Sequence, residues 1–117
     1  PKKFILDWVK KNQGNINIFN NPQKAAMDAD VIFSDKVVSL NDKVNKEKKN
    51  RDFKKFRIDS KVMSFAKRDA IFLHCLPRGS EVSEKVFFGK QSKVWQQALN
   101  RVHVQKSILL YSLGKLR

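Results

Sequence analysis

Three short runs rich in Ile, Val and Phe, at residues 15–19, 31–35 and 70–76, constrain this chain more than any other feature, because stretches of helical character lie between and around them. Runs of that length and composition favour strands, and strands that alternate with helices build a parallel sheet with crossover connections. The predicted class is therefore α/β, a parallel sheet flanked by helices. A helix over Ile5–Lys11 is expected to stop at Gly14, and Ile16–Phe19 to form the first strand. Asn20-Asn21-Pro22 then reads as a turn that opens a helix over Gln23–Asp28, with Pro22 near its first position. After the strand 31–35 come a basic helix near 45–57 and a short helix Ser60–Ala66 with Ser60 as its cap. The strand Ala70–Leu76 follows, and then a short capped helix from Ser83 that ends near Gly89. From Val94 onward Trp95, Leu99, Val102, Leu109 and Leu113 recur at helical spacing. That pattern predicts a final helix of about five turns that packs one apolar stripe.

Length and composition narrow the function. The chain has 117 residues, 41% hydrophobic and 31% charged, which is one ordinary globular domain's worth. Its single cysteine, Cys75, excludes an intramolecular disulfide, and no Cys/His grouping has zinc-finger spacing, so neither bridges nor a structural metal is expected. A reducing, cytoplasmic setting is the default. No apolar run approaches the roughly 20 residues of a membrane span, and Pro1-Lys2-Lys3-Phe4 lacks the apolar core of a signal peptide; a starting proline suggests a cut segment. The abnormal number is the net charge of +14, which by itself favours nucleic acid, anionic membranes or phosphorylated small molecules. Much of the excess is concentrated between Lys43 and Arg57, where Phe53 and Phe56 are spaced to share one helix face and leave lysines on the other. With no recognised nucleic-acid reader present, the run reads as a solvated outer helix, with neither nucleic acid nor membrane as partner.

The residues that could carry chemistry sit at the ends of these elements. Asp35 closes the second predicted strand, where a carboxylate points into the crevice at the carboxyl edge of the sheet and attracts an amine. Ser39, four residues on, offers a hydroxyl for the ends of a zwitterion; the alternative is that both only satisfy turn backbone. His74-Cys75 invites a nucleophile reading, but adjacent strand residues point to opposite faces, so His74 is badly placed to serve as base for the Cys75 sulfur. Cys75 is better suited to holding an amine or accepting its proton, unless it is an inert small hydrophobe. Leu76-Pro77 can take a cis bond that aims the Leu76 carbonyl into the crevice, or it can simply end the strand. Arg101, on the last helix but off its dominant apolar positions, could donate to a phosphate or a polarised carbonyl.

Taken jointly, Asp35 with Ser39-Leu40, His74-Cys75-Leu76-Pro77 and Asn100-Arg101 stand in the order and spacing of ornithine carbamoyltransferases, and the connecting sequence is similar from about Asn15 to Ile108. The chain thus resembles the second, ornithine-binding half of such an enzyme. The resemblance implies transfer of a carbamoyl group from carbamoyl phosphate to the side-chain amine of L-ornithine, giving L-citrulline and phosphate, by a trimeric enzyme with no metal or organic cofactor. Acetylornithine and putrescine carbamoyltransferases are the near alternative, and a non-enzymatic basic binding module the distant one. By motif, Asp35 and Cys75 hold the reacting amine, with Cys75 accepting its proton. Ser39 and the Leu40 backbone bind the amino-acid end, and the Leu76 carbonyl and Arg101 orient and polarise the carbamoyl group; His74 receives no role. Val37, Leu40-Asn41 and Leu99 depart from the family's usual tryptophan, methionine-glycine and acidic residue. No Ser-Xaa-Arg-Thr-Arg phosphate motif occurs, so residues 1–117 are expected to form a partial ornithine-binding domain without the carbamoyl-phosphate domain, inactive by themselves.

Overall fold

The parallel sheet consists of strands β1 (Val31–Ser34) and β2 (Ile71–His74), paired Val31 to Ile71, Ile32 to Phe72, Phe33 to Leu73 and Ser34 to His74. The structure, a computed structural model, describes residues 2–38 and 45–115. The expected positions Ser39 and Leu40 therefore lie outside the described residues, as does Asn41. Around the sheet, in chain order, are α1 (Lys3–Lys11), α2 (Pro22–Ala26), α3 (Lys46–Phe53) with a 3-10 turn at Lys54–Phe56, α4 (Ser60–Met63), α5 (Glu84–Phe87) and α6 (Val94–Ser112).

Local chemistry explains most of these boundaries. Asn21 accepts from the Gln23 and Lys24 N–H groups at the start of α2, with Pro22 in the first turn where its missing donor costs nothing. Asn45 caps α3 in the same way, through Glu47 and Lys48. At α4 the expected cap Ser60 is instead the first helical residue; the Asp59 carboxylate accepts from Val62 N–H at 2.9 Å. The helix itself stops at Met63 rather than Ala66. Ser83 caps α5 as expected.

The alternation of side chains across β2 sorts the core from the site. Phe72 and His74 point inward and are almost completely buried, while Cys75, one residue on, is exposed. On β1 it is Ile32 that is buried, with Val31 and Phe33 exposed. Phe72 packs with Ile32, Val62, Met63, Val82, Val86, Phe87 and Val94 in one cluster. The entry to α6 is tied to the other edge of β2, where Phe72 N–H donates to the Gln91 carbonyl and Lys93 N–H to the Phe72 carbonyl, both at 2.8 Å.

Two expectations fail. Residues 15–19 form no strand and are exposed throughout, so the described sheet has two strands and not three. Their composition favours extended backbone, but a strand is stable only against a partner, and the ladder of β1 is made with β2 alone. The apolar stripe of α6 is also left unburied: Trp95, Leu99, Val102 and Leu109, with Leu113 at the C-cap, are all exposed, Leu109 at 63%, although the Trp95 ring meets Phe87 edge-on. Only Val94 of that helix is buried, because α6 docks on β2 at its first turns and then runs past the sheet.

Candidate functional site

The parallel register sets Ser34 opposite His74, so the next residues on each strand, Asp35 and Cys75, leave the carboxyl edge side by side. They share the face opposite to the buried one, since side chains alternate. The Cys75 thiol donates to Asp35 Oδ1 at 3.1 Å, and the backbone N–H of Lys36 donates to the same oxygen at 2.7 Å. These two donors, the thiol foremost, hold the Asp35 carboxyl below its ordinary 3.8. The thiol moves the other way: loss of solvent around the sulfur and then the carboxylate beside it push Cys75 above its ordinary 9.0. Near neutral pH the pair is thus a thiol and a carboxylate, open to solvent, with one uncompensated negative charge. A primary ammonium supplies both the donors and the charge that such a pair lacks.

His74 faces away from this pair into the core, at 1% exposure, and it is held there from both ring nitrogens. Its Nε2 lies 2.9 Å from Glu81 Oε1, and Leu76 N–H donates to its Nδ1 at 2.9 Å. Leu76 has a φ of 54° and is joined to Pro77 by a cis peptide bond. Glu81, 6% exposed, also accepts from the Gly79 N–H. Burial opposes its ionisation, but the backbone N–H groups of Gly79, Glu81 and Val37, together with the His74 ring, prevail and hold its carboxyl below the ordinary 4.5.

Arg101 stands apart. It is exposed and makes no ion pair among the described residues. Its placement follows from Gln97, whose Oε1 accepts from His74 N–H at 3.0 Å. Four residues on, Arg101 lies on the same face of α6, about 6 Å further along the axis and past the end of β2. A cavity of about 600 Å³ lies elsewhere, between α4 and α5, lined by Met63, Arg68, Lys85 and Lys90 among others. Its lining comes from residues 60–68, before β2, and from residues 85–91, in and after α5, and the polar groups that converge as a substrate needs are instead at Asp35 and Cys75. Among the described residues no three His, Cys, Asp or Glu side chains cluster as metal ligands would, and no helix is long and apolar enough to cross a membrane.

Residues 1–112 match the family model described as aspartate/ornithine carbamoyltransferase, Asp/Orn binding domain. The chain belongs to the aspartate/ornithine carbamoyltransferase family. The ornithine carbamoyltransferase of Methanococcus maripaludis is 47% identical over 113 residues, covering 94% of this chain and 37% of that protein. That of Caldicellulosiruptor saccharolyticus is 42% identical over 116 residues, 97% of this chain and 38% of the relative. Among solved structures, the ornithine carbamoyltransferase of Pyrococcus furiosus superposes with a TM-score of 0.83 at 33% identity, over 100% of this chain and 39% of that one. The anabolic enzyme of Campylobacter jejuni gives 0.81 at 37% identity, over 98% and 38%. The chain therefore spans little more than a third of these carbamoyltransferases.

Within this carbamoyltransferase domain, the structure brings together Asp35 and Cys75, keeps Leu76 in the adjoining turn, and leaves Arg101 one helical turn beyond. Sequence reasoning passed over Glu81 and Gln97, the two side chains that hold the backbone and ring of His74. Glu81 carried little: it is one of only 11 acidic residues in a chain of net charge +14, and its burial follows from the path of its loop. Gln97 carried none, since one amide on an exposed helix is indistinguishable from its neighbours.

Proposed function

We propose that this chain supplies the ornithine-binding half of an ornithine carbamoyltransferase, the enzyme that forms L-citrulline and phosphate from L-ornithine and carbamoyl phosphate in arginine metabolism. The observation that carries the reading is the 3.1 Å approach of the Cys75 thiol to the Asp35 carboxylate at the carboxyl edge of two parallel strands. The family's motifs and the relatives' names support it.

In this reading the side-chain ammonium of ornithine enters with Asp35 as its counter-charge. An ammonium has no lone pair, so one proton must leave before attack. Loss of solvent and the Asp35 carboxylate raise the thiol above its ordinary 9.0, so its ionised form is a stronger proton acceptor than an unperturbed thiolate. The incoming cation favours the ionised sulfur: the thiol gives up its own proton to solvent, and the thiolate left behind takes one proton from nitrogen. The freed amine attacks the carbamoyl carbon, the bond from that carbon to the phosphate oxygen breaks with its electron pair on phosphate, and the second nitrogen proton follows to the phosphate. Negative charge that develops on the carbamoyl oxygen meets Arg101 and its bidentate donors, while the Leu76 carbonyl accepts from the carbamoyl N–H. Ser39 and the Leu40 backbone hold the α-amino and carboxylate ends. The carbamoyl-phosphate domain comes from outside residues 1–117, the working assembly is a homotrimer in the cytoplasm, and no metal or organic cofactor takes part.

The test is a chimera in which this chain replaces the matching segment of the Methanococcus maripaludis enzyme. Citrulline formation with L-ornithine in preference to acetylornithine or putrescine is expected. A folded chimera that binds carbamoyl phosphate but carbamoylates none of the three amines contradicts the reading.

A further inference from the structure

We propose that Glu81 is a positioning residue: acting through the His74 ring, it holds Leu76 in its left-handed backbone conformation and so keeps the Cys75 thiol against Asp35. The chain of contacts is short. Glu81 Oε1 is 2.9 Å from His74 Nε2, and His74 Nδ1 is 2.9 Å from the Leu76 nitrogen, whose hydrogen it accepts. A carboxylate can only accept at Nε2, and a backbone N–H can only donate at Nδ1. The two contacts therefore select one form of the ring, with its proton on Nε2 and a lone pair on Nδ1.

That lone pair has a task. A φ of 54° at a γ-branched side chain such as Leu76 costs of the order of 1–3 kcal/mol and persists only where surrounding bonds impose it. The bond to His74 Nδ1 is the one that fastens the Leu76 N–H, and Leu76 is the residue directly after Cys75. With the other tautomer, two hydrogens face each other at Nδ1, the bond is lost, and the turn that presents the thiol is released. Val37, two residues after Asp35, lines a cavity with Glu81, and its backbone N–H is among the groups that lower the Glu81 carboxyl. The other neighbours of Glu81 are Gly79, where an added Cβ would stand 2.6 Å from Glu81 Oε2, and the cationic Arg51, Lys54 and Arg57, which line the same cavity. What the positioning serves rests on the carbamoyl-transfer reading; the positioning itself does not.

The experiment uses the chain as it is, without substrate. Long-range 1H–15N spectra of the His74 ring read its tautomer directly, and His103 is the only other histidine to be assigned. Protonation at Nε2 is expected, and protonation at Nδ1 overturns the proposal. Alkylation of Cys75 by iodoacetamide near pH 8 then reads its contact with Asp35, since release from that carboxylate increases the thiolate. Glu81→Ala is expected to raise the rate about threefold or more, and Glu81→Gln, which keeps an acceptor for Nε2–H, to return it to within about twofold of the parent. If Glu81→Ala does not fold, Gly79→Ala displaces the carboxylate from outside and is expected to raise the rate in the same direction. An unchanged rate in the folded displacing variant, or a Gln variant that reacts as fast as that variant, overturns the proposal. Because ornithine is absent from every arm, failure here is distinct from failure of the chimera to make citrulline.

Discussion

At the scale of the residue, Cys75 and Glu81, acids of two separate hydrogen-bond networks, respond to pH in opposite senses. Cys75 is raised, so it favours the folded state fully below 9.0 and loses that contribution as pH climbs through its folded value. Alkylation rate against pH should accordingly show a midpoint above 9.0, and Asp35→Asn should lower it by removing the acceptor and its charge. A parent midpoint at 8 or below is incompatible with a thiol held by a carboxylate. Glu81 is lowered, so its contribution is present above 4.5 and disappears as pH falls through its folded value. Thermal melts should therefore lose stability below about pH 4.5, and Glu81→Gln should flatten that loss; equal acid slopes in parent and variant count against the buried network. The His74-Cys75-Leu76-Pro77 run was legible because strand alternation alone sends His74 and Cys75 to opposite faces. The ring's use of both nitrogens was not, since its partner Glu81 is brought in by a loop whose path no periodicity encodes.

Among the elements, α6 divides into a docked start and an unpacked remainder. Val94 is fully buried against the Phe72 cluster, whereas Val104 is 56% exposed. Truncation of Val94 to Ala removes two buried carbons and leaves a cavity, at a cost of about 2 kcal/mol. The same change at Val104 should stay within about 0.5 kcal/mol. Urea unfolding of the two variants checks the difference, and equal costs would mean that the helix packs along its whole length. The helix was legible from its spacing, and its lack of burial was not, because a stripe of Trp95, Leu99, Val102, Leu109 and Leu113 reads alike whether or not anything covers it. The same limit explains residues 15–19: composition favours extended backbone, while pairing depends on whether a partner edge is on offer. The basic helix is another matter of surface. Phe53 and Phe56 do meet, with ring centroids 6.0 Å apart, yet Phe53 is 45% exposed, so this face is only loosely anchored.

For the whole molecule, exposed Trp95, Leu109 and Tyr111 on α6 and Leu113 at its C-cap, with Phe4 and Trp8 on α1, form more apolar surface than a self-sufficient monomer usually shows. The chain alone should bind a hydrophobic dye, and Leu109→Gln with Leu113→Gln should reduce that binding without lowering stability by more than about 0.5 kcal/mol. Dye binding that survives both changes unaltered places the apolar surface elsewhere. The charge of +14 should matter little to chemistry: neutral substitutions at Lys48 and Lys54 in the chimera are expected to leave turnover nearly unchanged, and a tenfold loss, about 1.4 kcal/mol, would assign them to steering an anionic substrate. Asp35 and Cys75 carry the central claim, that one amine is held between them. It is tested most directly by steady-state kinetics of the chimera with Cys75→Ala and Asp35→Asn. Each substitution should raise the KM for L-ornithine about tenfold or more while the KM for carbamoyl phosphate stays within about twofold. Equal loss toward both substrates, or an ornithine KM that does not move, would contradict it.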